Sequence, residues 1–181
     1  MRTDSPRIPQ VPREAYTQEQ AALAKGRDMF NFTQVMLQHP TLYEAYIPFA
    51  EKLMRGSGLP PRDREIIVLR TLALCNEAYD LSHHVLMARG AGLTDAEIEA
   101  ARTGGTGLSE FERMLAKAAE DLVGDHRVGD EAWQALAKRY SRPQLMEVVC
   151  LVGDYSLMAM ITKSFGIPIE DNLETILHSF S

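Results

Sequence analysis

Residues 62–92, "RDREIIVLRTLALCNEAYDLSHHVLMARGAG", decide how this chain folds. From Ile66 to Leu74 the run is mostly apolar and lacks the polar–apolar alternation of a half-buried strand. Pro60-Pro61, just before it, suit the first turn of a helix, where a missing N–H leaves no bond unmade. The second half ends in glycines at 90 and 92, a helix stop, and Asn76 separates the halves. The stretch predicts two helices joined by a tight turn.

The second helix carries the chemistry. Glu77, Asp80 and His84 stand at offsets of three and four, so they share one helical face. Three readings fit that spacing. They are the solvated side of an amphipathic helix whose other face holds Leu81, Val85 and Ala88, or a metal site, or the acid/base part of an active site. One histidine among carboxylates is a thin ligand set for zinc, manganese or iron, so no metal is expected. Glu65, in the first turns of the preceding helix, suits the positive end of the helix dipole. If the two helices pack across the break at Asn76, Glu65 reaches His84 and holds the imidazole oriented for proton transfer. His83 reads as a solvent or junction histidine.

Outside this stretch the pattern stays helical. Residues 1–16 carry prolines at 6, 9 and 12, which predicts an extended arm, either disordered or laid across a neighbouring subunit. Residues 17–181 form a single helical domain. A helix capped by Thr17 runs to His39-Pro40, and a second places Leu42, Tyr46, Phe49 and Leu53 at helical spacing. Thr94 with Glu97, Ser109 with Glu112, and Ser141 with Gln144 fit the capping-box rule. The last long helix, 143–165, is apolar on nearly every side and belongs in the core or at a subunit interface. Leu157, Met158, Met160 and Ile161 read as core, and Trp133 as a core or interface anchor. Tyr79 and Tyr155 are candidate pocket residues that also suit a core. Asp154, set in this apolar helix, needs a partner or a wet cavity, and so is a pocket candidate as well. The fold class is all-α with short connections.

Composition sets the outer bounds. The chain has 181 residues, 45% hydrophobic and 24% charged, as one soluble domain with a sizeable core would have. A net charge of −6, without basic clusters interleaved with aromatics, argues against nucleic acid as a partner. The two cysteines, Cys75 and Cys150, lie in apolar helical patterns and form no C-x-x-C, which reads as two buried thiols in a reducing compartment. No uninterrupted apolar run reaches about 18 residues and no signal-peptide core stands near the start, so a cytoplasmic protein without a membrane partner is expected.

Residues 59–100 resemble the signature of the carboxymuconolactone decarboxylase and alkylhydroperoxidase D superfamily. Residues 130–171 resemble the C-terminal half of its decarboxylase-like members. The resemblance implies an alkylhydroperoxidase D-like helical bundle, a homo-oligomer, and functional roles for the glutamate at Glu65 and the histidine at His84. In the peroxidase branch a C-x-x-C would occupy the positions of Glu77 and Asp80; here both are carboxylates, and Cys75 has no partner at that spacing. In the decarboxylase-like branch a stretch resembling C-x-x-E-Y-E-x-x-x-H is common. Cys75, Tyr79, Asp80 and His84 match it, while Ala78 replaces the first glutamate.

Residues and resemblance together predict a cofactor-free lyase or isomerase acting on a small carboxylated, lactone-like substrate. His84 would move the proton, Glu65 would orient it, and Asp80 or Glu77 would serve as a second acid/base. Tyr79, Asp154 and Tyr155 would line the pocket, and for an anionic substrate either an arginine such as Arg62 or Arg70 would serve as a clamp or one acid would be protonated. Two other classes remain at this point: a thiol-dependent antioxidant activity kept from the superfamily, and a non-enzymatic oligomeric binding protein.

Overall fold

The computed structural model describes residues 6–180, which contain ten α-helices, a short 3-10 turn at Arg13–Ala15, and no β-strand. In chain order the helices are α1 (Gln18–Ala24), α2 (Asn31–Met36), α3 (Pro40–Met54), α4 (Pro61–Leu74), α5 (Tyr79–Gly90), α6 (Asp95–Thr103), α7 (Glu110–Asp125), α8 (Asp130–Ala137), α9 (Arg142–Phe165) and α10 (Leu173–Phe180). The spine is α4. Ile66, Ile67, Val68, Leu69 and Leu72 are all fully buried, because α5, α6, α7 and α9 surround the helix. A run apolar on every side, as residues 66–69 are, has no stable place except the centre of a bundle.

Pro61 opens α4 and Asn76 closes it. Asn76 takes a left-handed conformation (φ 48°), which asparagine tolerates better than most residues, and the Glu77 N–H turns back to the Leu72 carbonyl at 3.0 Å. That turn lays α5 back along α4, as the sequence predicts. The boxes at Thr94/Glu97 and Ser109/Glu112 cap α6 and α7, and Gln144 accepts the Ser141 N–H at the start of α9. Gly104 ends α6 at φ 71°. A Cβ there would come within 2.8 Å of a Glu120 carboxylate oxygen and 3.0 Å of the Arg70 guanidinium, so glycine suits this left-handed turn best.

Two apolar clusters divide the interior. The larger surrounds α4 and joins α6, α7, α8 and α9. The smaller gathers α2, Tyr43 of α3, Tyr79 and Met158. A cavity opens along the seam between them.

Several expectations are corrected. The single helix expected from Thr17 to Gln38 is two: Lys25 and Gly26 both take positive φ and break it. On α3 the buried face is set by Tyr43 and Leu53, while Leu42 and Phe49 face outward. The arm, over its described residues, lies on its own domain: the Arg7 and Ile8 N–H groups bond the Phe165 carbonyl, and Val11 N–H bonds Gln34. Residues 1–5 lie outside the described residues. Helix α9 is long and apolar enough to cross a membrane by composition, but half of that segment is buried within the bundle, as in a core helix. Its other face is exposed, so Leu157 and Met160 are surface residues, whereas Met158 is buried. Trp133 is exposed rather than in the core, and Cys150 is an exposed thiol, not a buried one.

Candidate active site

Glu65 lies in the second turn of α4 and His84 in the second turn of α5. The reversal at Asn76 brings them together: His84 Nδ1 donates to Glu65 Oε2 at 2.7 Å, with both side chains buried. This leaves Nε2 of His84 without a protein hydrogen-bond partner among the described residues. The ring meets Tyr155 of α9 edge-on, centroids 4.8 Å apart, which fixes its plane. Arg64 reaches the other oxygen of Glu65 through Nε and Nη2 at 3.2 and 3.1 Å. Burial alone would raise the Glu65 carboxyl; His84 and Arg64 together hold it below its ordinary value. Glu65 is therefore a charged carboxylate at neutral pH.

The pair borders a cavity of about 1000 Å³, at the upper end of the range for small-molecule sites. Its apolar wall includes Phe30, Ile47, Met54, Leu86, Met87 and Leu177. Its polar wall includes Asp80, His83, His84, Tyr79, Tyr46, Asp154 and Tyr155. Asp80 Oδ2 is buried with no hydrogen-bond partner among the described residues, and the buried Asp154 carboxyl and Tyr46 hydroxyl face only each other. Polar atoms stranded around one hollow are what a ligand or ordered water would satisfy. Burial lifts the Asp80 carboxyl to about 6, against the opposing pull of His84 and His83. Asp154 is also raised by burial, tempered by the facing Tyr46. Burial likewise pushes the Tyr155 and Tyr79 phenols well above their usual range, so both stay protonated donors.

The stretch singled out in the sequence thus divides. Asp80 and His84 reach the cavity, as do Tyr79, Asp154 and Tyr155. Glu77 is buried but does not line it. Its carboxylate accepts the N–H groups of Tyr79, Asp80 and Leu81 and the Thr162 hydroxyl, which makes it the cap of α5. All three side chains are interior, so the solvated-stripe reading falls. Arg62 and Arg70 do not reach the cavity either. Arg62 pairs with Glu97 and Glu112, and Arg70 with Glu120 and the Arg102 carbonyl. The arginine beside the Glu65–His84 pair is Arg64, which also lines the cavity.

His83, expected near solvent, is buried. Its Nδ1 donates to the Tyr79 carbonyl at 2.8 Å, and Nε2 sits 3.0 Å from Glu170 Oε2. Glu170 also accepts the Asn31 N–H at 2.7 Å and the Tyr79 hydroxyl at 2.5 Å, tying the segment after α9 to α2 and α5. Burial pulls His83 down, but Glu170 and Asp80 outweigh it and the imidazole is raised above its ordinary value. Nothing in the sequence links residues 83 and 170; only the closure of the chain does.

Solved structures share this architecture. An alkylhydroperoxidase AhpD-core, peroxidase-related protein of Ralstonia eutropha JMP134 matches 93% of this chain and 94% of its own, with TM-score 0.79 and 16% identity. The debrominase Bmp8, in a cysteine-to-alanine variant bound to 2,3,4-tribromopyrrole, matches 99% and 100%, with TM-score 0.75 and 17% identity. A putative antioxidant defence protein AhpD of Agrobacterium tumefaciens matches 74% and 94%, with TM-score 0.67 and 20% identity. The fold is that of the alkylhydroperoxidase D-like helical bundles. No curated protein shows significant sequence similarity to the chain. Residues 40–121 match the carboxymuconolactone decarboxylase family model.

Proposed function

We propose that the protein is an acid–base lyase or isomerase for a small carboxylated, lactone-like substrate, with His84 as the proton carrier. The observation that carries this reading is the buried Glu65–His84 pair beside a cavity onto which Asp80 also opens, with a buried carboxylate oxygen that has no hydrogen-bond partner among the described residues. Two thiols set for peroxide reduction are not part of that wall: Cys75 is not among the cavity residues and Cys150 is on the outer surface.

In decarboxylation, the bond between the substrate carboxylate and its neighbouring carbon breaks. Carbon dioxide leaves, and the electron pair stays on carbon, delocalised onto the adjacent carbonyl as an enolate. The proton on His84 Nε2 passes to that carbon, and the imidazole regains one from water. In isomerisation the same nitrogen first removes a proton beside the carbonyl and returns it to a different carbon. Positioned acid–base groups of this kind contribute about 10²- to 10⁴-fold. Glu65 keeps Nδ1 protonated and so leaves Nε2 as the working atom. Asp80, titrating at about 6, supplies a second acid or base. Arg64 answers the charge problem of an anionic substrate among carboxylates, since its Nη1 is not used in bonding Glu65.

The test is turnover of a panel of carboxylated lactones by the wild type, by His84→Ala, and by a Cys75→Ser/Cys150→Ser double variant. The proposal expects a loss of at least about 100-fold in His84→Ala and full activity without the thiols. Equal rates in wild type and His84→Ala would remove the assignment. Ligand binding without product from any panel member would favour a binding protein.

A further inference from the structure

Tyr46 of α3 and Asp154 of α9 face each other in the cavity lining. The Tyr46 hydroxyl and Asp154 Oδ1 are buried, and neither has a well-formed hydrogen bond to any other described residue. Leu151, Val152 and Met158 lie buried beside Asp154 on the same helix. A phenylalanine and a leucine at these two positions would leave no polar atom short of a bond and would cost the fold little. The pair therefore answers to something other than packing.

Its electrostatics suit a donor. Burial raises the Asp154 carboxyl toward its neutral form, and burial beside Asp154 pushes the Tyr46 phenol far above its ordinary value, so it keeps its proton. A phenol and a carboxylic acid hold two O–H groups. One is enough to join them, so one remains for a third oxygen. The pair also borders the same hollow as the proton carrier: Tyr155, next to Asp154 on α9, meets the His84 ring at 4.8 Å, and Asp80 feels both His84 and Asp154. The Tyr46 ring is braced by Phe32, centroids 6.0 Å apart.

We infer that Tyr46 and Asp154 form an oxyanion-binding site, and that the ligands it takes are enolates and acidic phenols. On the acid–base reading of His84, on which this rests, the two residues receive the charge that the reaction creates. When carbon dioxide leaves, or a proton beside the carbonyl is removed, the electron pair runs onto the carbonyl oxygen. The O–H groups of Tyr46 and Asp154 donate to that oxygen, and these bonds shorten as its charge grows. Protonation of carbon by His84 returns the electron pair to a C–H bond, and both donors keep their protons throughout. Donors preset in an apolar cavity need no reorganisation at that moment, and one such donor is worth about 10²- to 10³-fold in turnover. The apolar wall suits the flat conjugated skeleton that such ligands have.

The probe is β-naphthol, a stable enolate mimic whose neutral and ionised forms absorb at different wavelengths. Bound to the wild type at neutral pH it should show the naphtholate band, its proton passing to Asp80 or His84, while the free naphthol stays neutral. Tyr46→Phe removes one oxygen and keeps the ring; it should bind at least about tenfold more weakly and lose the band. Asp154→Leu should lose the band as well, and Asp154→Asn, which keeps an N–H donor, should retain it. On any lactone turned over, Tyr46→Phe should lower kcat by about 10²-fold or more with KM little changed. Where a variant fails to fold by circular dichroism, the wild-type spectrum and the remaining variants decide. A wild type that binds no naphthol or holds it only in the neutral form overturns the site, as does a folded Tyr46→Phe with wild-type affinity and band. Naphtholate binding without turnover of any lactone would leave this site standing and remove the lyase reading. Turnover that needs His84 and ignores Tyr46 would do the reverse.

Discussion

Replacing Asp80 by asparagine should stabilise this protein, although Asp80 is one of its candidate catalytic groups. The carboxyl is buried, its Oδ2 has no hydrogen-bond partner among the described residues, and burial raises it from 3.8 to about 6. A carboxyl raised in the folded state binds its proton more tightly there than in the unfolded chain. Between pH 4 and pH 6 the native state therefore holds more protons, and stability falls as pH rises through that window. Above it, the full cost of the native charge is present. A rise of about two units corresponds to roughly 3 kcal/mol. Asparagine keeps the shape and removes that charge. The pull of His83 and His84 is already contained in that shift, but asparagine also forgoes the favour of the α5 dipole for an anion in its first turn, which trims the gain to about 2 kcal/mol. Urea unfolding at pH 4.0, 5.5 and 7.5, at one fixed protein concentration, measures it. The variant should gain at pH 7.5, gain less at 5.5, and match the wild type near 4. A variant less stable than wild type at pH 7.5, or a gain that does not shrink on acidification, refutes the reasoning. Turnover should fall in the same variant, a stability gained at a site strained for function.

Glu65→Gln should act with the opposite sign. Its charge is stabilised by His84 and Arg64, and an amide must turn a donor toward one of them, so about 2 kcal/mol should be lost at pH 7. Because the folded carboxyl lies below its ordinary 4.5, that difference should shrink as pH falls below 4.5 toward the folded value; a gap that does not narrow on acidification counts against the pair. The His83–Glu170 contact should hold α10, which supplies Leu177 to the cavity wall. His83 is raised from 6.5, so this contribution is complete below 6.5 and fades as pH climbs through the folded value. Amide exchange corrected for its intrinsic pH dependence should show α10 losing about tenfold protection over that climb. In Glu170→Gln the protection should be low throughout, and identical protection in the two proteins would sink the latch.

What could be read from the sequence was what short spacing encodes. The pairing of Glu65 with His84 followed from two helical faces and one break, because the chain between them is too short to bring other partners in. The capping boxes are complete within four residues, so they too were legible. The break at Lys25 was not: lysine has no signature for a left-handed backbone, and only the following glycine hinted at it. On α3, the choice between Leu42 and Tyr43 as the buried residue depends on what lies opposite, and periodicity alone favoured the wrong one. Arg64 and Glu170 were invisible for the same reason. Their roles exist only where distant segments meet. Met160 and Leu157 show the converse limit, since apolar composition does not say whether a side chain faces its own core or outward.

The four donors gathered by Glu77 constrain anyone who would re-engineer this scaffold toward sulfur chemistry. A thiol at position 80 asks only that one stranded carboxylate be given up. A thiol at 77 strips three backbone amides of their acceptor and loosens the start of the very helix that aims His84. A grafted C-x-x-C here would have to be preceded by a new anchor for α5, because in this chain the place where a sulfur pair would begin is already the peg from which that helix hangs.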